Sequence, residues 1–226
     1  MVATRLSFEE DLKSLQNRVV EMGRLADQMV EGAIRALEER NVSLAIEIIR
    51  RDDEVDRMDL EIETQCMKLI ALQQPMARDL RTIGTALKII TDIERIGDHS
   101  VDIAKIARKL ADDPVSRMLV DIPPMAHLVR EMLGDALQAF VNHDLKLVEK
   151  VVAADDQADT IYYRLRDELQ MMMQKDSRLV VQASNLLLVA LYLERIADHS
   201  VNIAERVAYV ETGVLKQLAS SHSPTS

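Results

Sequence analysis

Two nearly identical stretches decide the fold: ERIGDHSVDIA at positions 94–104 and ERIADHSVNIA at positions 194–204, which share nine of eleven residues. The apolar residues just before them differ much more, ALKIITDI against LLLVALYL. A helix usually presents Glu, Arg, Asp and His to solvent, so faithful repetition of such residues is unexpected. The pattern indicates an internal duplication in which the polar positions themselves have a role.

The composition favours an all-α fold. Of 226 residues, 48% are hydrophobic, whereas only six are Gly and five are Pro, which leaves little material for the turns of a strand-rich protein. Trp is absent and only two Phe occur, so we expect a core of aliphatic and Met side chains.

Helix signals recur through both halves. Ser7 and Glu10 have the spacing of a capping box, and Asn41 is a favourable N-cap for the next helix. Asp144 takes the same place in the second half. The first helix carries a heptad seam with steps of three and four residues. Its members are Leu12, Leu15, Val19, Met22, Ala26, Met29, Ala33 and Ala36.

The repeat predicts two tandem three-helix bundles. A shift of 103 residues superimposes Met22 on Met125 and Asn41 on Asp144, and the shift falls to 100 at the repeated motif. A period of this length is too long for a solenoid unit. We expect a first bundle over 1–112, a linker over 113–124, a second bundle over 125–214 and a disordered tail over 215–226.

Charge and cysteine content limit the function. A net charge of −10 argues against nucleic-acid binding, which requires a basic surface. The single cysteine, Cys66, fits a reducing compartment. The start of the chain lacks the apolar segment of a signal peptide, and the most apolar stretch, 179–193, is too short and too polar to span a membrane. We expect a cytoplasmic protein.

Four acidic pairs form the candidate site. Each pair has i,i+4 spacing, so its two carboxylates share a helix face and repel each other by about 0.2–0.5 kcal/mol. Two neighbouring helices in each bundle are expected to direct four carboxylates to one point. Such oxygen donors suit Mg, Mn, Ca or iron. The pairs are Asp52 and Asp56, Glu94 and Asp98, Asp155 and Asp159, and Glu194 and Asp198.

Residues beside the pairs receive other interpretations. Arg95 lies three residues from Asp98, so local ion pairs on a solvated helix face are the alternative to metal binding. His99 and His199 lie off the Glu–Asp face, which favours a surface or supporting role over direct ligation. Ser100 and Ser200 fall on the seam, and we interpret them as packing residues.

The doubled motif and the two sets of acidic pairs resemble the phosphate-uptake regulator (PhoU) family over about 12–210. The resemblance implies a negative regulator of the phosphate-starvation response that acts with the phosphate-specific ABC transporter. It also implies contacts with a sensor histidine kinase and with the transporter's ATPase subunit, and multinuclear iron or zinc clusters on the acidic motifs. Asn202 in place of Asp102 departs from the repeat and puts a wider second cluster in doubt.

Two alternatives stay open. A carboxylate-metal hydrolase is one, although the Glu-x-x-His pattern of di-iron bundles and P-loop strings are missing from the sequence. A metal-independent helical adaptor is the other. The apolar stretch 186–193 suggests a packing surface that docks the two bundles or a second subunit, and we expect a homodimer that reaches the membrane only through its partners.

Overall fold

The computed structural model describes residues 2–112, 122–214 and 216–218, with side chains from Phe8 onwards. It is built from helices, and the described residues contain no strand, which confirms the all-α prediction. A short 3-10 turn, Ser177–Leu179, precedes the last helix. The helices are α1 (Val2–Glu39), α2 (Val42–Gln73), α3 (Ala77–Leu110), α4 (Ile122–Asn142), α5 (Leu145–Lys175) and α6 (Val180–Thr212).

The starts of α2 and α5 follow the same local rule. The Asn41 side chain accepts a hydrogen bond from the Leu44 N–H at 3.0 Å, and Asp144 accepts one from the Lys146 N–H at 2.8 Å. Both predicted N-caps are therefore confirmed. The predicted capping box at Ser7 is wrong, because α1 already begins at Val2 and nothing in this segment interrupts the helix.

The heptad seam of α1 forms the centre of the core. From Leu15 onwards its members are fully buried, whereas Leu12 is half-buried at the edge. On α2, residues seven apart are also buried, from Ile48 to Leu69. The buried apolar side chains of all six helices form one continuous cluster. The predicted aliphatic core is confirmed.

The six helices form two bundles with an approximate twofold relation. α1, α2 and α3 pack together, as do α4, α5 and α6, and the bundles meet through α3 on α6 and α1 on α4. α3 and α6 run antiparallel, since Arg78 near the start of α3 pairs with Glu211 near the end of α6 and Lys109 pairs with Asn185. α2 and α5 lie on the outer flanks of the assembly, in contact only with their own bundle among the described helices.

Equivalent residues of the two repeats meet where α1 packs on α4. Asp27 and Arg130 are related by the shift of 103 and form a bidentate ion pair, at 2.7 and 3.0 Å. Nearby, the Leu137 side chain packs directly on Gly23, and a Cβ there would lie 2.5 Å from Leu137 Cδ1 unless that side chain shifted. The α1–α4 contact is thus closed by complementary, not identical, residues of the two repeats.

α6 lies inside the fold along much of its length. By length and composition this helix is apolar enough to cross a membrane, in contrast to the expectation that its apolar stretch is too short and too polar, but 50% of its most apolar window is buried within the protein. It packs on α4 and α5 of its own bundle and on α3 of the other. Leu187 and Leu191 are half-buried, and the docking role of the stretch 186–193 stays a prediction.

The boundaries between the parts are only partly described. The predicted linker lies mostly outside the described residues, at 113–121, and residues 122–124 belong to the first turn of α4 instead. Pro123 and Pro124 fit there because the first helical turn needs no internal N–H partner. Of the predicted disordered tail over 215–226, all but 216–218 lies outside the described residues.

Candidate metal centre

The carboxylates of α2 and α3 come together as the repeat pattern predicted. The charges of Asp56 and Asp98 act on Asp52, and those of Asp98 and Asp56 act on Glu94. A Cβ at Gly97 would lie at an ordinary contact distance of 3.6 Å from Asp52 Oδ1, so this part of α3 packs closely on α2. The four predicted residues of the first bundle therefore form one electrostatic group on adjacent helices.

The electrostatics of this group favour a bound cation. Burial, and then repulsion from Asp56 and Asp98, raises the pKa of Asp52. Burial, and then Asp98, raises the pKa of Glu94. A cation placed among these carboxylates would offset both the lost hydration and the mutual repulsion.

Asp59 enlarges the acidic group beyond the four predicted ligands. Burial, and then the charges of Glu63 and Asp56, raises its pKa, and Asp59 in turn contributes to the raised pKa of Glu94. The sequence indicates that Asp59 belongs to this group, because the acidic residues of α2 recur at steps of three and four on one side of the helix. They are Asp52, Asp56, Asp59 and Glu63.

Each motif arginine reaches back to the acidic residues of its own helix. Arg95 Nη1 donates to Asp98 Oδ2 at 2.8 Å, and Arg95 Nε lies 3.3 Å from Glu94 Oε2. In the second repeat, Arg195 Nη1 donates to Asp198 Oδ2 at 3.2 Å. The local ion pairs expected from the sequence are thus present and partly neutralise each pair.

The second bundle differs from the first in burial and in its neighbours. Asp155 and Glu194 are each only 6% exposed, whereas their counterparts Asp52 and Glu94 are half-buried. Tyr162 stands at the position equivalent to Asp59, and burial followed by the charge of Glu194 raises its pKa. The interaction of Tyr162 with Glu194 places α5 against the motif of α6. The acidic group of the second bundle is therefore more buried than that of the first, and it has a phenol where the first has a carboxylate.

The donor atoms fit a hard cation, but the carboxylates do not surround one common point. Asp52, Asp56, Glu94 and Asp98 supply only oxygen atoms in the first bundle, as Mg, Mn, Ca and iron accept. Among the described residues, no three His, Cys, Asp or Glu side chains already form a coordination site for one ion. Binding would require the side chains to turn away from Arg95 and Arg195.

A cluster between the two acidic groups was missed by sequence reasoning. His199 Nδ1 donates to Asp92 Oδ1 at 2.9 Å, and Asn202 Nδ2 donates to the same oxygen at 3.3 Å. The His99 ring stacks on Tyr192, with centroids 5.5 Å apart, and lies 5.7 Å from the His199 ring. The motif histidines therefore connect α3 with α6 across the bundle junction.

The repeat contains a signal for this cluster. Positions 92, 99 and 102, and their counterparts 100 residues later, all carry polar or aromatic side chains, and steps of seven and three keep them on one helix face. Asn202, which raised doubt about a wider second metal cluster, instead contributes to the junction with Asp92. The histidines thus make contacts between the bundles that the sequence did not predict, and their supporting role beside the acidic pairs stays a prediction.

The motif serines have the packing role that was predicted. Ser100 and Ser200 are fully buried. Their hydroxyls donate to the carbonyl oxygens of Ile96 and Ile196 at 2.8 and 2.9 Å. Each serine therefore satisfies its hydroxyl within its own helix and leaves a small surface for neighbouring helices to approach.

The comparisons with known proteins agree with the duplicated fold. A family model described as PhoU domain matches twice, over residues 19–107 and 122–207. A protein of Clostridium acetobutylicum, named a phosphate-specific transport system accessory protein PhoU homolog, is 40% identical over 93% of this chain and 96% of its own length. A protein of the same name from Aquifex aeolicus is 38% identical over 82% of this chain and 84% of its own length.

Two solved structures share the architecture. The crystal structure of PhoU from Pseudomonas aeruginosa is similar with a TM-score of 0.88 and 32% identity, over 92% of this chain and all (100%) of that one. That of the phosphate transport system regulatory protein PhoU from Streptococcus pneumoniae gives a TM-score of 0.87 and 31% identity, over 93% and 100% of the two chains. The two-bundle arrangement therefore extends across these proteins.

Proposed function

The chain belongs to the PhoU domain family, and from this premise we propose that it is a non-catalytic, metal-binding regulator of the phosphate-specific transport system. Its relatives are named accessory proteins of that system. The single observation that carries the metal-binding part is the convergence of carboxylates from α2 and α3, where burial and then mutual repulsion raise the pKa values of Asp52 and Glu94.

The proposed ligands are the four acidic pairs. In the first bundle they are Asp52, Asp56, Glu94 and Asp98, and in the second Asp155, Asp159, Glu194 and Asp198. Carboxylates bridge neighbouring ions readily, which supports more than one ion per bundle. Iron or zinc is the metal expected from the family resemblance, and Mg, Mn or Ca from the ligand type. Bound cations would remove the repulsion within each group.

The regulation is proposed to act through protein contacts. We place this chain in the cytoplasm as a homodimer, where it restrains phosphate uptake and the phosphate-starvation response. Its partners are the sensor histidine kinase and the ATPase subunit of the transporter, and through them it reaches the membrane. The net charge of −10 supports protein partners over nucleic acid.

A metal-independent adaptor is the second candidate, and the motif arginines favour it. Arg95 and Arg195 each pair with the Glu and the Asp of their own motif and so neutralise part of each acidic group. In that case the acidic groups and their arginines would serve only solubility and partner recognition, and removal of metal would leave partner binding unchanged.

Elemental analysis of the untagged protein separates the two candidates. The variant neutralises the motif pairs: Glu94→Gln, Asp98→Asn, Glu194→Gln and Asp198→Asn. A control with the same change of net charge neutralises exposed acidic residues elsewhere: Glu38→Gln, Glu39→Gln, Asp167→Asn and Glu168→Gln. Metal in the wild type and the control but not in the variant supports the proposal. Equal metal content in all three would overturn the proposed ligand set, and no metal in any of them would favour the adaptor.

A further inference from the structure

The outward side of α2 carries large apolar side chains in solvent. Leu60 is 63% exposed and Met67 is 57% exposed. Thr64 and Ala71 lie on the same strip, because steps of three and four residues return to one face of a helix. We call these four residues the α2 outer face. A shallow groove follows its C-terminal part, lined by Glu63, Thr64, Met67, Lys68, Ala71 and Leu72.

The apolar surface continues around the end of the bundle. Leu72 and Met76, on either side of the α2–α3 turn, are each 77% exposed, and Leu80 in the first turn of α3 is 45% exposed. Contiguous apolar surface of this kind commonly marks an interaction site in soluble proteins, whereas scattered single residues do not.

The second repeat shows that the bundle does not need this surface. The positions of α5 that correspond to the α2 outer face by the shift of 103 hold Tyr163, Asp167, Gln170 and Gln174. α5 packs against its own bundle just as α2 does. Three of the four counterparts on α5 are therefore polar, and although Tyr163 and Met171 of α5 are also exposed, the apolar strip is more extensive in the first repeat.

The charges beside the α2 outer face limit its partner. Residues 52–63 contain seven acidic residues and one basic residue, Arg57. At about 100° per residue, Glu63 lies next to Leu60 and Met67 on the side facing α3, whereas Arg57 and Lys68 border the strip on its other side. A second copy docked through the same face about a twofold axis would bring like charges together, and anionic lipid would be repelled. A basic, amphipathic partner satisfies both the apolar strip and its acidic border.

We propose that the α2 outer face docks a basic amphipathic helix of a protein partner. The apolar residues of that helix cover Leu60 and Met67, and its Lys and Arg side chains lie over Glu63. Apolar anchors at i, i+3, i+4 and i+7 are the usual mode of helix-in-groove recognition. Only the identity of the partner rests on the proposed function, since the chemistry of the surface does not depend on it.

A model peptide tests the surface on the full-length protein. The probe is a labelled Leu/Lys peptide of roughly 18 residues, or about five helical turns, with leucines at amphipathic spacing and a scrambled peptide as reference. Leu60→Gln with Met67→Gln is expected to weaken binding about tenfold or more, since each buried apolar side chain contributes substantially. The matched control on α5, Tyr163→Gln with Met171→Gln, is expected to bind like the wild type.

Fluorescence anisotropy at physiological salt measures these affinities. Since the four substituted side chains are all solvent-exposed, the variants are expected to stay folded, and circular dichroism checks this. Equal affinity in the wild type and both variants would overturn the proposal. So would equal binding of the ordered and the scrambled peptide, because charge alone would then explain the interaction.

A second measurement identifies the partner and separates this inference from the proposed function. A photo-reactive amino acid at position 67, or at 170 as control, is tested with the sensor kinase's cytoplasmic part and with the ATPase subunit. Cross-links from 67 to a basic helical segment support the proposal, and cross-links to a second copy of this chain overturn it. If the wild type binds neither protein, the proposed function fails, whereas the peptide result still decides on the surface.

Discussion

The ion pair between Asp27 and Arg130 gives a sharp test of the twofold arrangement. Because the two positions are equivalent in the repeat, exchanging their side chains should recreate the ion pair between them. Asp27→Arg alone or Arg130→Asp alone places like charges together at the α1–α4 contact. The double exchange, Asp27→Arg with Arg130→Asp, is expected to recover part of the lost stability, because the carboxylate at position 130 would then lie near Glu31.

The magnitude follows from the geometry of the pair. Arg130 donates two hydrogen bonds to Asp27, at 2.7 and 3.0 Å, and a third to Glu31 at 3.2 Å. Hydrogen bonds to charged groups contribute about 1.5–3 kcal/mol, and exposed ion pairs about 0.2–1 kcal/mol. Since both side chains are about 30% exposed, we expect a coupling energy of about 1–2 kcal/mol. That corresponds to roughly 2–8 °C in Tm for a chain of this size.

Thermal and urea unfolding of the wild type, both single variants and the double variant measure this coupling. Lys150 and Asp135 form a control pair within the second bundle, with Lys150 63% exposed, and we expect its exchange cycle to give less than about 1 kcal/mol. If the double exchange at 27 and 130 is no more stable than the worse single variant, the twofold equivalence of these positions is refuted. The twofold equivalence is also refuted if neither single variant is less stable than the wild type.

Two further predictions concern the motif on α3. In the presence of a chelator, Glu94→Gln with Asp98→Asn should raise Tm, by a small amount near pH 4 and by a larger amount near pH 7. The reason is that the pKa of Glu94 is raised in the folded state. Such a carboxyl group contributes stability below its unfolded-state pKa, and this contribution is lost as the pH rises through its folded-state pKa. Differential scanning fluorimetry of both proteins at the two pH values checks this, and a constant difference would contradict it. Gly97→Ala should stabilise the protein by up to about 1 kcal/mol through helix propensity, since its new Cβ would meet Val55 at an ordinary 3.4 Å. Gly23→Ala should gain less or destabilise the protein in urea unfolding, because its Cβ would overlap the Leu137 side chain.

The fold was largely predictable because it depends on local signals. Side chains three and four residues apart share a helix face whatever the tertiary structure, so the seam from Leu15 to Ala36 identified the buried side of α1. Asn41 and Asp144 marked helix starts because an N-cap acts only on its own first turn. Ser7 failed as a signal because a capping residue does not start a helix where the preceding residues can also be helical.

The candidate site was predictable only in part. The i,i+4 spacing showed that Glu94 and Asp98 share a face, and the same pattern on α2 suggested that the faces meet. The spacing of Arg95 also predicted its ion pair with Asp98, but it gave no indication that Asp155 and Glu194 would be more deeply buried than Asp52 and Glu94. Those differences depend on how neighbouring helices shield each position from water, which is a property of packing.

The sequence by itself determined which residues share a helix face, where most helices begin and that the chain is a duplication. Only the tertiary structure decided which faces meet: α3 against α6, α1 against α4, and His199 of one repeat on Asp92 of the other. The physical reason is that helical periodicity acts over a few residues along the chain. The partners at the bundle junction are about one hundred residues apart, and packing of the whole core brings them together.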